Sequence, residues 1–189
     1  MARIEPVKEG EADEKARALL EKIRTDWGWS WNVTGGIANN PAVLEGFIAL
    51  NGAQANSGLS EAERELISIE MARANGCHYC VPAHRYVAAE LGLDREMMDA
   101  AARGEDLAGD GPDAVLLRLV RRIAATGGKL DDGEFQAFRD QGIAPEKMIA
   151  VIGEIAVCAI TNTFNRLAQT ELDDFLTPYD YGPARETRS

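Results

Sequence analysis

Apolar positions recur along this chain at intervals of three and four, and runs that alternate with period two are scarce. Spacing of that kind gathers apolar side chains on one face of a helix. A first helix is predicted from about Glu11 to Asp26, with Ala16, Leu19, Leu20 and Ile23 on one side. The segment from Trp27 to Asn40 reads as a loop, because it holds Gly35-Gly36 and paired asparagines. Pro41 then opens a helix to about Asn56, and Ser57-Gly58 breaks it. Ser60 followed by Glu63 is a capping box for a helix over 61–75, which Asn75-Gly76 ends. Further helices are predicted from near Cys80 to Leu91, from the Asp94 cap to Arg103, from Pro112 to Thr126, and from Asp131 or Asp132 to Gln141. Pro145 begins the longest apolar helix, reaching about Gln169.

The expected fold is therefore all-α, a single multi-helical domain of about seven or eight helices. Residues 1–40 form an N-terminal helix and a Trp-rich segment packed on the core. Residues 41–176 form that core, and 177–189, with Pro178 and Pro183, form a loosely held tail. Trp27, Trp29 and Trp31 are too apolar to be left in water, so their segment is expected to pack on the core or on another subunit. The last helix is apolar nearly all round between Ile149 and Ile160, which suits a central core helix or a subunit interface. A homo-oligomer is expected, a trimer or a hexamer.

Charge narrows the partners. Asp and Glu number 31 against 20 Lys and Arg, a formal charge of −11, which argues against nucleic acid and against anionic membranes. No uninterrupted apolar run is long enough to span a bilayer, and residues 1–10 lack the apolar stretch of a signal peptide. A cytoplasmic location is the expectation.

The chemistry concentrates in one place. Of three cysteines, Cys77 and Cys80 form CxxC, and the two histidines are His78 and His84. In an intracellular chain CxxC reads as redox or metal chemistry. Cys80 falls at or near a helix start, where free N–H groups and the helix dipole stabilise a thiolate. His84, four residues on, shares its face and can take or return a proton. Zinc is the alternative, with Cys77, Cys80, His84 and His78 as the only candidate ligands, a set crowded into one helix start. Inert buried cysteines are a third reading. Cys158, between Val157 and Ala159, reads as a small core residue.

The stretch from Glu65 to His84, ELISIEMARANGCHYCVPAH, resembles the AhpD-like alkylhydroperoxidases of the carboxymuconolactone decarboxylase superfamily. Their pattern is a Glu, then CxxC twelve positions on, then a His four after the second Cys; here these are Glu65, Cys77, Cys80 and His84. The likeness extends over roughly residues 40 to 175, through Gly92-Leu93-Asp94 and Asn165-Arg166. It implies a peroxidase that reduces hydroperoxides through a Cys77–Cys80 dithiol/disulfide cycle. Cys80 would attack the peroxide, Cys77 would resolve the sulfenic acid and receive the reductant, and His84 with Glu65 behind it would relay protons. The helical wheel alone does not choose between Glu65 and Glu61. The resemblance further implies a dithiol reductant, a lipoyl-bearing or thioredoxin-like protein, and no cofactor. Some peroxidase members carry a second His immediately before the second Cys; this chain has Tyr79 there and His78 one place earlier, so a simpler relay is expected. A dithiol–disulfide oxidoreductase or redox sensor without peroxide turnover is the alternative. The decarboxylase branch generally lacks CxxC.

Overall fold

A computed structural model describes residues 1–180 apart from Glu9. Among these residues the secondary structure is entirely helical. The helices are α1 (Glu14–Trp27), α2 (Asn32–Ile37), α3 (Pro41–Gln54), α4 (Glu61–Ala74), α5 (Cys80–Glu90), α6 (Arg95–Arg103), α7 (Pro112–Thr126), α8 (Asp132–Asp140) and α9 (Pro145–Ala168), with a final 3-10 helix (Asp174–Tyr179). The local signals act as their chemistry requires. Ser60 and Glu63 close a capping box on α4, and Asp131 and Glu134 close another on α8. The Asp94 carboxylate accepts from the Glu96 and Met97 amides at the start of α6.

Helix α4 is the hub. It packs against α5, α6, α7 and α9, while α3 and α2 also lie on α9. Leu66, Ile67, Ile69 and Ala72 of α4 are essentially fully buried. Burying each of the larger three contributes about 1.5–3 kcal/mol. Helix α9 is long and apolar enough by length and composition to cross a membrane; 44% of its most apolar stretch is buried, and it packs against α2, α3 and α4. Glu154, Asn162 and Asn165 are buried along it.

Two segments differ from expectation. Residues 27–40 are not a loop: Trp27 ends α1 and 32–37 form α2. Gly35 and Gly36 act there as sites of close packing rather than as breakers. A Cβ at 36 would lie 2.5 Å from the Phe164 ring, and one at 35 would lie 2.9 Å from Pro6. Trp27 packs against Phe47 and Trp31 between Tyr86 and Phe175, whereas Trp29 stacks on Phe175 but stays half exposed, contrary to expectation. The segment after Leu176, expected to be loose, continues the 3-10 helix to Tyr179, whose ring meets Tyr86. Fully buried Leu176 and the Phe175 contacts tie it down; Pro183 lies outside the described residues.

Candidate active site

The turn that ends α4 delivers the first cysteine. Gly76 adopts φ 60°, its N–H donates to Arg73 O, and the Cys77 N–H donates to Ala72 O at 2.8 Å. This is a Schellman ending, and it needs a left-handed residue where Gly76 stands. Cys77 is thereby set just before α5, and Cys80 is the first residue of that helix. The two are joined in a disulfide with Cα atoms 5.3 Å apart.

The hydrogen bonds to the two sulfurs come from different sources. The Cys80 backbone N–H, one of the free donors at the start of α5, points to Cys77 Sγ at 3.2 Å. Cys80 Sγ instead receives Asn165 Nδ2 of α9 at 3.3 Å. Cys77 is fully buried; Cys80 is 2% exposed and lines a cavity of about 500 Å³, a volume within the usual range for small-molecule sites.

His84 and Glu65 line the same cavity. His84 Nδ1 lies 2.9 Å from Glu65 Oε2, joining α5 to α4. Burial alone would depress the imidazole pKa, but the charge and hydrogen bond of Glu65 outweigh it and leave His84 above its ordinary value. Glu65 therefore shifts the imidazole toward its protonated form beside the cavity.

The opposite wall comes from α9. Glu154, Val157, Cys158, Thr161 and Asn165 recur every three or four positions, so one stripe of the helix faces the cavity. Glu154 is nearly fully buried, and its carboxylate accepts from Arg64 Nε at 2.8 Å, Gln54 Nε2 at 3.4 Å and Ser68 Oγ at 3.4 Å. Gln54 reaches it because residue 153 is glycine: a Cβ there would sit 2.7 Å from Gln54 Oε1. Trp27, Trp29, Trp31, Phe47 and Tyr86 form an aromatic wall.

The remaining sequence candidates divide. His78 turns away from His84, its Nε2 2.8 Å from Thr170 O. The Tyr79 hydroxyl donates to the Asp173 carboxylate, which also accepts from the Asn32 N–H. Both residues between the cysteines are thus tied to the chain that follows α9. Among the described residues no three His, Cys, Asp or Glu side chains converge as they would around a metal ion. Cys158 stays a free thiol, its Sγ 3.4 Å from Ser68 Oγ, and burial pushes it up to about 12. The sequence marks Glu154 only as a charge in an apolar helix, and Asn165 only as part of a resemblance. An isolated acid or amide on an otherwise apolar stripe is the signal available for both.

The carboxymuconolactone decarboxylase family model matches residues 41–122, which hold Glu65, both cysteines of the pair and His84. A stretch of 43 residues, 23% of this chain, is 46% identical to the alkyl hydroperoxide reductase AhpD of Mycobacteroides abscessus and covers 25% of its length. The fold is similar to that of an AhpD-core, peroxidase-related protein from Ralstonia eutropha, with a TM-score of 0.81 at 20% identity over 93% of this chain and 94% of that one. It is also similar to the debrominase Bmp8, with a TM-score of 0.75 at 17% identity over 93% and 95%. Residues 41–122 thus match the carboxymuconolactone decarboxylase family, within an all-α fold similar to that of an AhpD-core protein and with a cysteine pair at disulfide distance.

Proposed function

We propose that this chain is a thiol-dependent peroxidase that reduces hydroperoxides through a Cys77–Cys80 dithiol/disulfide cycle. The observation that carries the reading is that Cys80, His84 and Glu65 line one cavity while Cys77 lies behind it, bonded to Cys80. In the reduced protein the Cys80 thiolate attacks the distal peroxide oxygen. The O–O bond breaks, an S–O bond forms, and the leaving alkoxide takes the proton of the His84 imidazolium. Cys77 then gives up its thiol proton and attacks the sulfenic sulfur, forming the disulfide and releasing water. The sum is one hydroperoxide and two thiols to one alcohol, one water and one disulfide. Glu65 holds the imidazole in place and keeps it charged.

A dithiol donor, lipoyl-bearing or thioredoxin-like, returns the disulfide to dithiol, with Cys77 as its target. Because Cys77 is buried, that step requires the segment tied to His78 and Tyr79 to yield. The working unit is a cytoplasmic homo-oligomer; exposed Ile149 and Ile152 on α9 support the assembly. Purified Cys80→Ser is expected to consume no organic hydroperoxide above the uncatalysed rate. Consumption at the wild-type rate would sink the reading.

The second reading is a dithiol–disulfide oxidoreductase without peroxide turnover. It is favoured by His78 bonding to Thr170 O, which leaves a single imidazole at the cavity. Turnover assays with hydroperoxide plus dihydrolipoamide separate the two: a disulfide that dihydrolipoamide reduces but that hydroperoxide does not re-form supports the second.

A further inference from the structure

Asn165 is 1% exposed, lines the cavity and bonds Cys80 Sγ through Nδ2, yet its Oδ1 is buried without a partner. Buried side-chain polar atoms are nearly always satisfied, so an orphan acceptor beside a reacting sulfur points to a ligand that completes it. The free backbone donor of α5 is already spent on Cys77, so the hydrogen bond on Cys80 comes from Asn165 alone among the described contacts. The side chain is aimed by its stripe on α9, one turn beyond Thr161 and three turns beyond Glu154.

Building on the peroxidase reading above, we propose that Asn165 is a catalytic residue whose two amide atoms act together: Nδ2–H stabilises the Cys80 thiolate, and Oδ1 accepts the O–H of the hydroperoxide and so holds its distal oxygen against that sulfur. The disulfide sulfur is a weak acceptor. The thiolate is a charged one, and the same N–H bond strengthens when the pair is reduced. In the attack, the distal oxygen keeps its hydrogen. It becomes the sulfenic O–H, still held by Oδ1, while the other oxygen leaves as alkoxide toward His84. Asn165 neither gains nor loses a proton. Fully substituted dialkyl peroxides, which lack an O–H, give Oδ1 nothing to accept and are excluded as substrates.

The test compares wild type with Asn165→Leu and Asn165→Asp, each in a Cys77→Ser background, by the pH dependence of iodoacetamide alkylation at Cys80 and by the rate of sulfenic acid formation with cumene hydroperoxide. Asn165→Leu is expected to raise the alkylation pKa by about one to two units. It is also expected to slow sulfenic acid formation by about tenfold even at a pH where Cys80 is fully ionised, because the Oδ1 contact is lost. Asn165→Asp, which replaces the donor with a like charge, is expected to raise the pKa further. A folded variant with its alkylation pKa within about 0.3 unit of wild type, a factor of two in the acid constant, and its pH-independent rate within twofold overturns the proposal. In wild-type protein, NMR of the Asn165 side-chain amide covers the case of misfolded variants: its Nδ2 protons are expected to shift downfield on reduction, and an unmoved resonance overturns the donor role. If wild type reduces no hydroperoxide at all, the peroxidase reading and the Oδ1 role fall together, while the alkylation pKa still decides the Nδ2 role.

Discussion

The two walls of the cavity are built on different terms. One runs from Glu65 to His84, lies inside the matched family domain and is assembled by a helix, a glycine turn and a second helix. The other is the stripe of α9, with the chain after it bonded to His78 and Tyr79; both lie beyond that domain and meet the first wall only through the fold. The first wall holds the disulfide pair and the His84–Glu65 pair. The second holds the groups that set their surroundings: Asn165 on Cys80, Glu154 against Arg64, Asp173 on Tyr79. Local chain geometry can therefore bring sulfur and imidazole together, but the polarity, burial and access of the pair depend on a distant helix.

The sharpest break of this comparison is Arg64→Leu. It leaves the Glu154 carboxylate buried opposite an apolar side chain, and removing one partner of such a pair costs about 3–5 kcal/mol. Urea unfolding should show that loss. A much smaller one would mean that Gln54 and Ser68 suffice for the second wall. Glu65→Gln works on the first wall. Without the carboxylate charge, His84 falls back toward or below its ordinary pKa, and peroxide turnover at neutral pH is expected to drop by about ten- to a hundredfold, measured as kcat/KM. Tyr79→Phe cuts a tie between the walls. It should lower stability by about 1–2 kcal/mol and speed disulfide reduction by dithiothreitol several-fold. An unchanged reduction rate would show that the segment after α9 does not guard Cys77.

The smallest effect is the pH dependence of the Glu65–His84 pair. Its folded pKa is raised, so the pair's contribution is fully present below the unfolded value of about 6.5 and is lost as pH rises through the higher folded value. The stability gap between wild type and Glu65→Gln should narrow over that interval. A gap that widens with rising pH would contradict an imidazolium at this site.

Much of the fold is legible in the sequence because helix starts and stops are local. The Ser60–Glu63 box, the Asp94 cap, Pro112 and Pro145 each open a helix where the local chemistry requires one. Residues 27–40 are different. Paired glycines there suggest a break, yet their role is set by Phe164 and Pro6, neighbours far away in the chain. The segment after Leu176 is a second such case: its prolines suggest looseness, and an aromatic cluster holds the chain instead.

By itself the sequence determined the all-α architecture and the placing of the cysteine pair beside His84. CxxC before a helix brings two sulfurs within bonding reach, and a histidine four residues on lies on the same face; both follow from covalent and helical spacing. Local spacing left open which carboxylate pairs with His84, which sulfur lines the cavity and which donor reaches it; the tertiary structure supplies Glu65, Cys80 and Asn165. Glu65 stands 19 residues from His84, Glu154 90 from Arg64, and Asn165 85 from Cys80. At such separations no local spacing constrains the partner. The packing of α4, α5 and α9 does, because it removes water from these groups and leaves each with only the neighbours that the fold supplies.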